Sequence, residues 1–203
     1  MLGALDTVHD SLDGVRNSVG YTNDDGEGNT FHLAPIEDKQ IELDPKHDHA
    51  DVILQIADGN SGFLKSFVRA HANSDIADRQ KAMSYYPLDY LPASHPLGRH
   101  FTVCDRWFSS LPGPTWPNRF FMLTGTSSGK VDMPHRDQWP QWLVSQNQDT
   151  LFDRLNEKGR SWMVYYHDFP NSLVLRHQQQ HDNLMDGGGP KSRLETHNRS
   201  SAA

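Results

Sequence analysis

"FTVCDRWFSSLPGPTWPNRFFMLTGT", residues 101–126, joins two apolar stretches through a turn that holds three prolines, a glycine and one threonine. Its first eight residues alternate Phe101, Val103, Asp105 and Trp107 with Thr102, Cys104, Arg106 and Phe108. That two-residue period, apolar on both faces, predicts a mostly buried strand, with Cys104 inside it as a small apolar-like residue. Past the turn, Phe120, Phe121 and Leu123 read as one side of a buried helix that Gly125 stops. If the strand ends near Ser110 and the helix begins at Trp116, Thr115 is the N-cap, with Pro114 before it and Pro117 in a first turn that tolerates proline.

A hydroxyl so placed stands at the positive end of a helix, outside the carboxyl end of a strand, where α/β folds hold anions. Two readings stay open on these residues alone. Thr115 is a plain cap, or it is a nucleophile that attacks phosphorus or sulfur while backbone amides hold the anion.

Outward from this stretch the same grammar continues. Asp149 reads as the cap of a helix with Leu151, Phe152 and Leu155 on one face, Gly159 as its terminator, and Trp162 to Tyr166 as an aromatic strand ending in His167 and Asp168. Upstream, "ASHPLG" at 93–98 reads as a short helix. Asp44 and Pro45 read as the start of a helix carrying Val52, Ile53 and Ile56. "DGNSG" at 58–62 breaks it, and Phe63, Phe67 and Val68 open a second amphipathic helix. Residues 17–30, "NSVGYTNDDGEGNT", read as loop with nothing to build a core. Strands separated by helices and short turns predict an α/β fold with a parallel sheet, packed most densely between residues 80 and 175. From Asp186 the chain is glycine-rich and nearly free of apolar side chains, which reads as a disordered tail over 186–203.

The 203 residues carry a formal charge of -7 and no basic stripe, so a reader of nucleic-acid backbones is not expected. No stretch approaches the roughly 18 apolar residues of a membrane span, and the chain as given carries no address for a compartment. The single cysteine rules out an internal disulfide.

"MSYYPLDYLPASHPLGRHFTVCDRWFSSLPGPTWPNRFFMLTGT" and "TLFDRLNEKGRSWMVYYHDFPNSLVLRHQ" resemble the phosphoesterase family that contains bacterial phospholipases C and related acid phosphatases, of the alkaline-phosphatase-like superfamily. "DPKHDHADVILQIADGNSGFLKSFV" resembles it more weakly, so the likeness runs over about residues 44–180 and fades after Met185. The resemblance implies a three-layer α/β/α sandwich with a mostly parallel sheet. It also implies a metal-dependent hydrolase of phosphate esters, phospholipid head groups among them. Thr115 matches the family's nucleophile, which also binds a divalent metal. His47 matches the histidine of the DPxH segment and would bind or protonate the substrate phosphate.

Other candidates come from position. Asn118 and Arg119 follow Thr115 within one turn and could hydrogen-bond a phosphoryl oxygen, although Arg119 also fits a solvated helix charge. His167 and Asp168 sit at a strand end, as a catalytic pair would. His177 and His181 have i, i+4 spacing but no third ligand nearby.

The chain opens at "MLG", where the family has an acidic residue with asparagine, arginine and serine ahead of a run ending in those three residues. The metal-binding glutamate and asparagine of that motif would fall before Met1. The expectation is therefore a partial phosphoesterase domain over 1–185, impaired in turnover by itself. Its rival is a non-catalytic remnant, or a small binding protein that keeps part of the fold.

Overall fold

The computed structural model describes residues 2–18, 20–36, 42–167, 171–180 and 184–186. The chain divides into two compact units, Met1–Pro114 and Thr115–Ala203.

In the first unit, two 3-10 turns, Gly3–Thr7 and Val15–Ser18, precede a hairpin of β1 (Thr22–Asp24) and β2 (Thr30–His32). The two strands are antiparallel, with Asn23 opposite Phe31. The polar run at 17–30 is therefore not simply loop. Asp25 holds the turn: its Oδ1 accepts from the amides of Glu27 (2.8 Å) and Asn29 (3.1 Å). Such side-chain to backbone bonds fold a turn without any apolar period. Next come β3 (Ala34–Pro35), α1 (His49–Asn60), α2 (Phe63–Ala70), α3 (Ile76–Ala82), β4 (Ser84–Tyr85) and α4 (Ser94–His100), with β3 and β4 paired in parallel.

The two helices expected around "DGNSG" are present. Between them Asp58, Gly59 and Asn60 take positive φ, which breaks the helical path as the sequence indicates. The cap of α1 is Asp48 rather than Asp44, whose carbonyl accepts instead from the His71 ring at 2.9 Å. The expected apolar face of α1 is not buried: Ile53 and Ile56 are 45% and 46% exposed. The second helix does the packing. Leu64 and Phe67 join Phe31 and Met83 in a core, each fully buried side chain contributing about 1.5–3 kcal/mol. Asn23 ties this core to the hairpin, accepting from the Leu64 amide (2.8 Å) and donating to the Asn60 carbonyl (3.0 Å). Among the described residues eight of the twelve buried apolar side chains precede residue 80, so the core is not concentrated between residues 80 and 175.

Residues 101–108 are the largest departure from expectation. They form no strand, and Phe101, Trp107 and Phe108 are 68%, 81% and 78% exposed, while Cys104 is exposed rather than interior. A two-residue period specifies a strand only when a neighbouring strand takes its hydrogen bonds, and no described strand pairs with this segment.

The second unit begins with α5 (Thr115–Thr124), followed by α6 (Trp139–Val144) and α7 (Leu151–Glu157). β5 (Val164–Tyr166) then pairs in parallel with β6 (Leu184–Asp186). Gly125, at φ +74°, ends α5 as expected, and its amide donates to the Phe121 carbonyl at 2.9 Å. The cap of α7 is Thr150, not Asp149. Thr150 Oγ1 accepts from the Asp153 amide while Asp153 Oδ2 accepts from the Thr150 amide, a reciprocal box; Asp149 pairs with Arg154 at 2.8 Å. Leu151 is exposed at 51%, whereas Phe152 stacks on Trp162 with ring centroids 4.5 Å apart.

The described residues thus form a mixed α/β chain with three two-stranded sheets among them, two of them parallel. The expected tail beyond Asp186 lies outside the described residues.

Candidate active site

Helix α5 owes its placement to one face. Phe120 is fully buried with Val174 and Leu175, and Trp116, Leu123 and Trp142 pack against that cluster. Trp116 meets Trp142 edge-on at 5.8 Å and Phe120 at 6.0 Å. Pro117 is buried on the same side. At 100° per residue, Thr115, Asn118 and Met122 then lie on the opposite side, with Met122 63% exposed, while Arg119 lies at the edge of the packed face beside Trp116. Thr115 is exposed as well.

The helix begins at Thr115 itself, one residue earlier than expected, so Thr115 is its first residue rather than its cap. The prolines of the turn now have a physical role. A helix start leaves four amides without intrahelical acceptors, from the cap to the third residue. Pro114 and Pro117 occupy two of those four positions and have no N–H, which leaves the amides of Thr115 and Trp116 as the donors of this end. Asn118 and Arg119, three and four residues on, are the surface neighbours of Thr115 along one ridge. The Arg119 guanidinium lies 5.8 Å from the Trp116 ring centroid, a cation–π contact that restrains its charge.

Among the sequence-predicted candidates, only Thr115, Asn118 and Arg119 are joined on one element. His47 is exposed ahead of α1 in the first unit. His49 is the histidine engaged there: it opens α1, and its Nδ1 lies 2.5 Å from the carbonyl oxygen of Pro112 in the proline-rich turn. The resemblance points to His47, and nothing in "KHDHAD" reports a contact 63 residues away. His167 stands exposed one residue past β5, and Asp168 lies outside the described residues. His181 lies outside them too. His177 faces a carboxylate rather than a metal site, with Nδ1 3.1 Å from Asp153 Oδ2. Asp153 is held below the usual carboxylate range: burial would raise it, but the Thr150 hydroxyl and amide and the His177 ring outweigh that.

Among the described residues no three His, Cys, Asp or Glu side chains gather as a metal site. These residues by themselves do not fit the divalent ion that the resemblance implies. No described helix is long and apolar enough to cross a membrane.

A helix opened by a hydroxyl residue, with amide donors beside it, is a place where an anionic group can be held. The profile of the Phosphoesterase family matches residues 5–200, and the chain belongs to that family. The match is wider than the 44–180 and the fading after Met185 that the motifs indicated.

Among its relatives, non-specific phospholipase C3 of Arabidopsis thaliana is 29% identical over 197 residues, covering 89% of this chain and 36% of that protein. Phospholipase C B of Mycobacterium tuberculosis is 29% identical over 124 residues, 55% of this chain and 23% of its own length. Non-hemolytic phospholipase C of Burkholderia pseudomallei is 30% identical over 88 residues, 41% and 12% respectively. The chain spans about a third of the length of the Arabidopsis relatives. Ester hydrolysis is the activity of the family to which it belongs.

Proposed function

We propose that this chain carries the nucleophile half of a phospholipase C-type phosphoesterase site, with Thr115 as the nucleophile. The observation that carries the reading is the exposed position of Thr115 at the first residue of α5, on the ridge shared with Asn118 and Arg119. The Thr115 oxygen attacks phosphorus, and the new O–P bond forms as the bond to the leaving alcohol breaks. The hydroxyl proton leaves Thr115 and a proton reaches the departing oxygen, with His47 and His167 as the proposed proton carriers. Water then hydrolyses the phosphothreonine and restores the hydroxyl.

Asn118 and Arg119 would hold phosphoryl oxygens, with the Thr115 and Trp116 amides adding neutral donors in fixed directions. Asp168 belongs to the same proposed binding set. The substrate class is a phosphate ester, with a phospholipid head group as the natural candidate, since the relatives are named phospholipases C. Residues 1–185 would act as one partial domain with a tail at 186–203, in the alkaline-phosphatase-like sandwich that the resemblance implies. The implied divalent ion would draw most of its ligands from outside the described residues, so turnover by this chain alone is expected to be low.

A second reading is a binding protein that retains part of the fold without catalysis; the exposed Phe101, Trp107 and Phe108 favour it. One experiment separates the two. Turnover of 4-nitrophenyl phosphate, bis(4-nitrophenyl) phosphate and phosphatidylcholine is measured with added divalent metals for the chain and for Thr115→Ala and Thr115→Ser. Turnover lost in Thr115→Ala and partly kept in Thr115→Ser supports the nucleophile. Turnover indifferent to both rejects it, and no turnover in any form favours the second reading.

A further inference from the structure

Helix α5 stands on a floor that its own sequence does not supply. Phe120 is buried against Val174 and Leu175. Val174 closes one 3-10 turn, Asn171–Val174, and Leu175 leads into the next, Arg176–Gln180, all within the second unit. Such turns are short and their hydrogen bonds are poorer than those of an α-helix, so tertiary contacts must hold them where they are.

The same run carries a cost. Ser172 Oγ and both polar atoms of the Gln178 side chain are buried with no hydrogen-bond partner among the described residues. A buried polar atom left unpaired gives up its hydration without return, which opposes seating the run.

Bonds to two neighbours work the other way. The Arg176 amide donates to the Gln146 carbonyl at 2.9 Å, and His177 Nδ1 lies 3.1 Å from Oδ2 of Asp153 on α7. Asp149 Oδ1 is 3.9 Å from the same nitrogen. Asp153 Oδ2 already accepts from the Thr150 amide and the Thr150 hydroxyl, each at 2.7 Å. An oxygen that draws three donors belongs to an ionised carboxylate, which can only accept. His177 Nδ1 therefore carries a proton and is the donor, in a bond strengthened by the carboxylate charge.

We propose that His177 is a positioning residue for α5. By donating to Asp153 it clasps residues 171–178 onto α7, which keeps Val174 and Leu175 beneath Phe120 and so fixes the helix that begins at Thr115. The consequence for turnover rests on the reading of Thr115 as nucleophile; the seating of α5 does not.

The test is hydrogen–deuterium exchange of the full chain, read by mass spectrometry at amides 118–124 of α5. It compares the unsubstituted chain with His177→Ala, His177→Phe and His177→Asn. Losing a hydrogen bond to a carboxylate should speed exchange there by about tenfold in His177→Ala. His177→Phe keeps a ring without a donor and should match it. His177→Asn puts an amide N–H where Nδ1–H stood and should restore most of the protection. Helix α2, in the other unit, should exchange alike in every form. Long-range proton–nitrogen NMR of the unsubstituted chain should show His177 Nδ1 protonated at neutral pH and above, the signal being identified by its loss in His177→Asn.

Unchanged exchange at α5 in His177→Ala overturns the proposal. So does protection restored by Phe but not by Asn, which would make the ring a packing element. If His177→Ala loses protection throughout, the other two measurements decide: an Nδ1 without a proton, or an Asn variant as unprotected as Ala, overturns it. Turnover indifferent to Thr115→Ala would remove the nucleophile and leave the exchange result standing, so the two readings fail separately.

Discussion

Arg79 Nη1 lies 2.7 Å from Asp25 Oδ2, and both side chains are shut away from solvent. The pair joins the β1–β2 turn to α3, and Arg79 also donates to Glu27 (2.7 Å) and to the Ser74 carbonyl (3.1 Å). Burial would raise the Asp25 carboxyl, but the Asn29 side chain, the Glu27 amide and the Arg79 guanidinium hold it far below the usual carboxylate range. A carboxyl depressed in the folded state adds stability that is fully present above its unfolded value and is lost as pH falls toward its folded value. Asp25→Ala should cost about 3 kcal/mol near neutral pH, because it leaves a buried guanidinium whose remaining carboxylate partner among the described residues is the half-exposed Glu27. The deficit against wild type should shrink as pH drops below about 4, the ordinary carboxylate region. Thermal melts of both proteins from pH 7 to pH 2 check this, and a deficit independent of pH contradicts it.

Thr150 and Asp153 make the reciprocal cap of α7, with Thr150 Oγ1 accepting from the Asp153 amide at 3.2 Å. Thr150→Ala should lower stability by about 1 kcal/mol, and Thr150→Ser should recover most of it. Asp149→Ala should change stability by less than about 0.5 kcal/mol, since its pairing with Arg154 is on the surface. Denaturant melts of the three variants rank the two candidate caps; equal losses at 149 and 150 would contradict the assignment.

The two sides of α5 should respond differently to truncation. Phe120→Ala opens a cavity among Val174, Leu175 and Trp142 and should cost about 3–5 kcal/mol. Met122→Ala, on the exposed side, should stay within about 0.5 kcal/mol. Thr115→Ala should resemble Met122→Ala in stability, so that any loss of turnover in that variant is chemical. Comparable destabilisation by Thr115→Ala would place that side chain in the packing and remove it from the exposed ridge.

Much of this was legible in the residues, and the exceptions share a cause. Helix α5 and its stop at Gly125 follow from local apolar spacing and from the one residue type that accepts φ of +74° cheaply. Helix α2 follows equally from Phe63, Phe67 and Val68, although it is Leu64 rather than Phe63 that is fully buried. The hairpin at 22–32 was hidden because Asp25 and Asn23 fold it through side-chain bonds, which leave no hydrophobic period. The cap of α7 falls one residue past the expected Asp149, because Asp153, three residues after Thr150, completes a reciprocal box with it. Residues 101–108 have the period of a strand without a described partner, and period alone does not supply one. In the candidate site, Thr115 and its ridge follow from local sequence, while the approach of His49 to Pro112 depends on tertiary packing that local sequence does not encode.

Gly62 tests how tightly the two adjacent helices are joined. A Cβ there would stand 1.8 Å from the carbonyl oxygen of Leu54, a backbone atom that cannot swing aside. Gly62→Ala should therefore force α1 and α2 apart and cost about 1–3 kcal/mol or more. Gly59→Ala has open space but a φ of +70°, and should cost about 1 kcal/mol through backbone strain alone. Melting of the two variants should show the larger loss at Gly62; the reverse order would mean that the helix junction relaxes freely.

The final contrast is between two histidines two residues apart. His49 Nδ1 meets the Pro112 carbonyl, three residues ahead of Thr115 in the chain, while His47 is exposed. Removing the His49 ring deprives a carbonyl of the proline-rich turn of its partner, so His49→Ala should lower stability by about 1 kcal/mol, and His47→Ala by less than about 0.5 kcal/mol. In whichever form of the protein hydrolyses phosphate esters, the two substitutions separate positioning from proton transfer. A role for His49 in holding the turn predicts that His49→Gln, which keeps a donor, recovers turnover, with the pH profile unmoved in every His49 variant. A role for His47 as proton carrier predicts that His47→Gln stays impaired and that one limb of the pH profile disappears. If His49→Gln fails to recover while His47→Gln is indifferent, the proton-carrying assignment passes from His47 to His49, and the hydrogen bond to Pro112 becomes the means by which that ring is oriented.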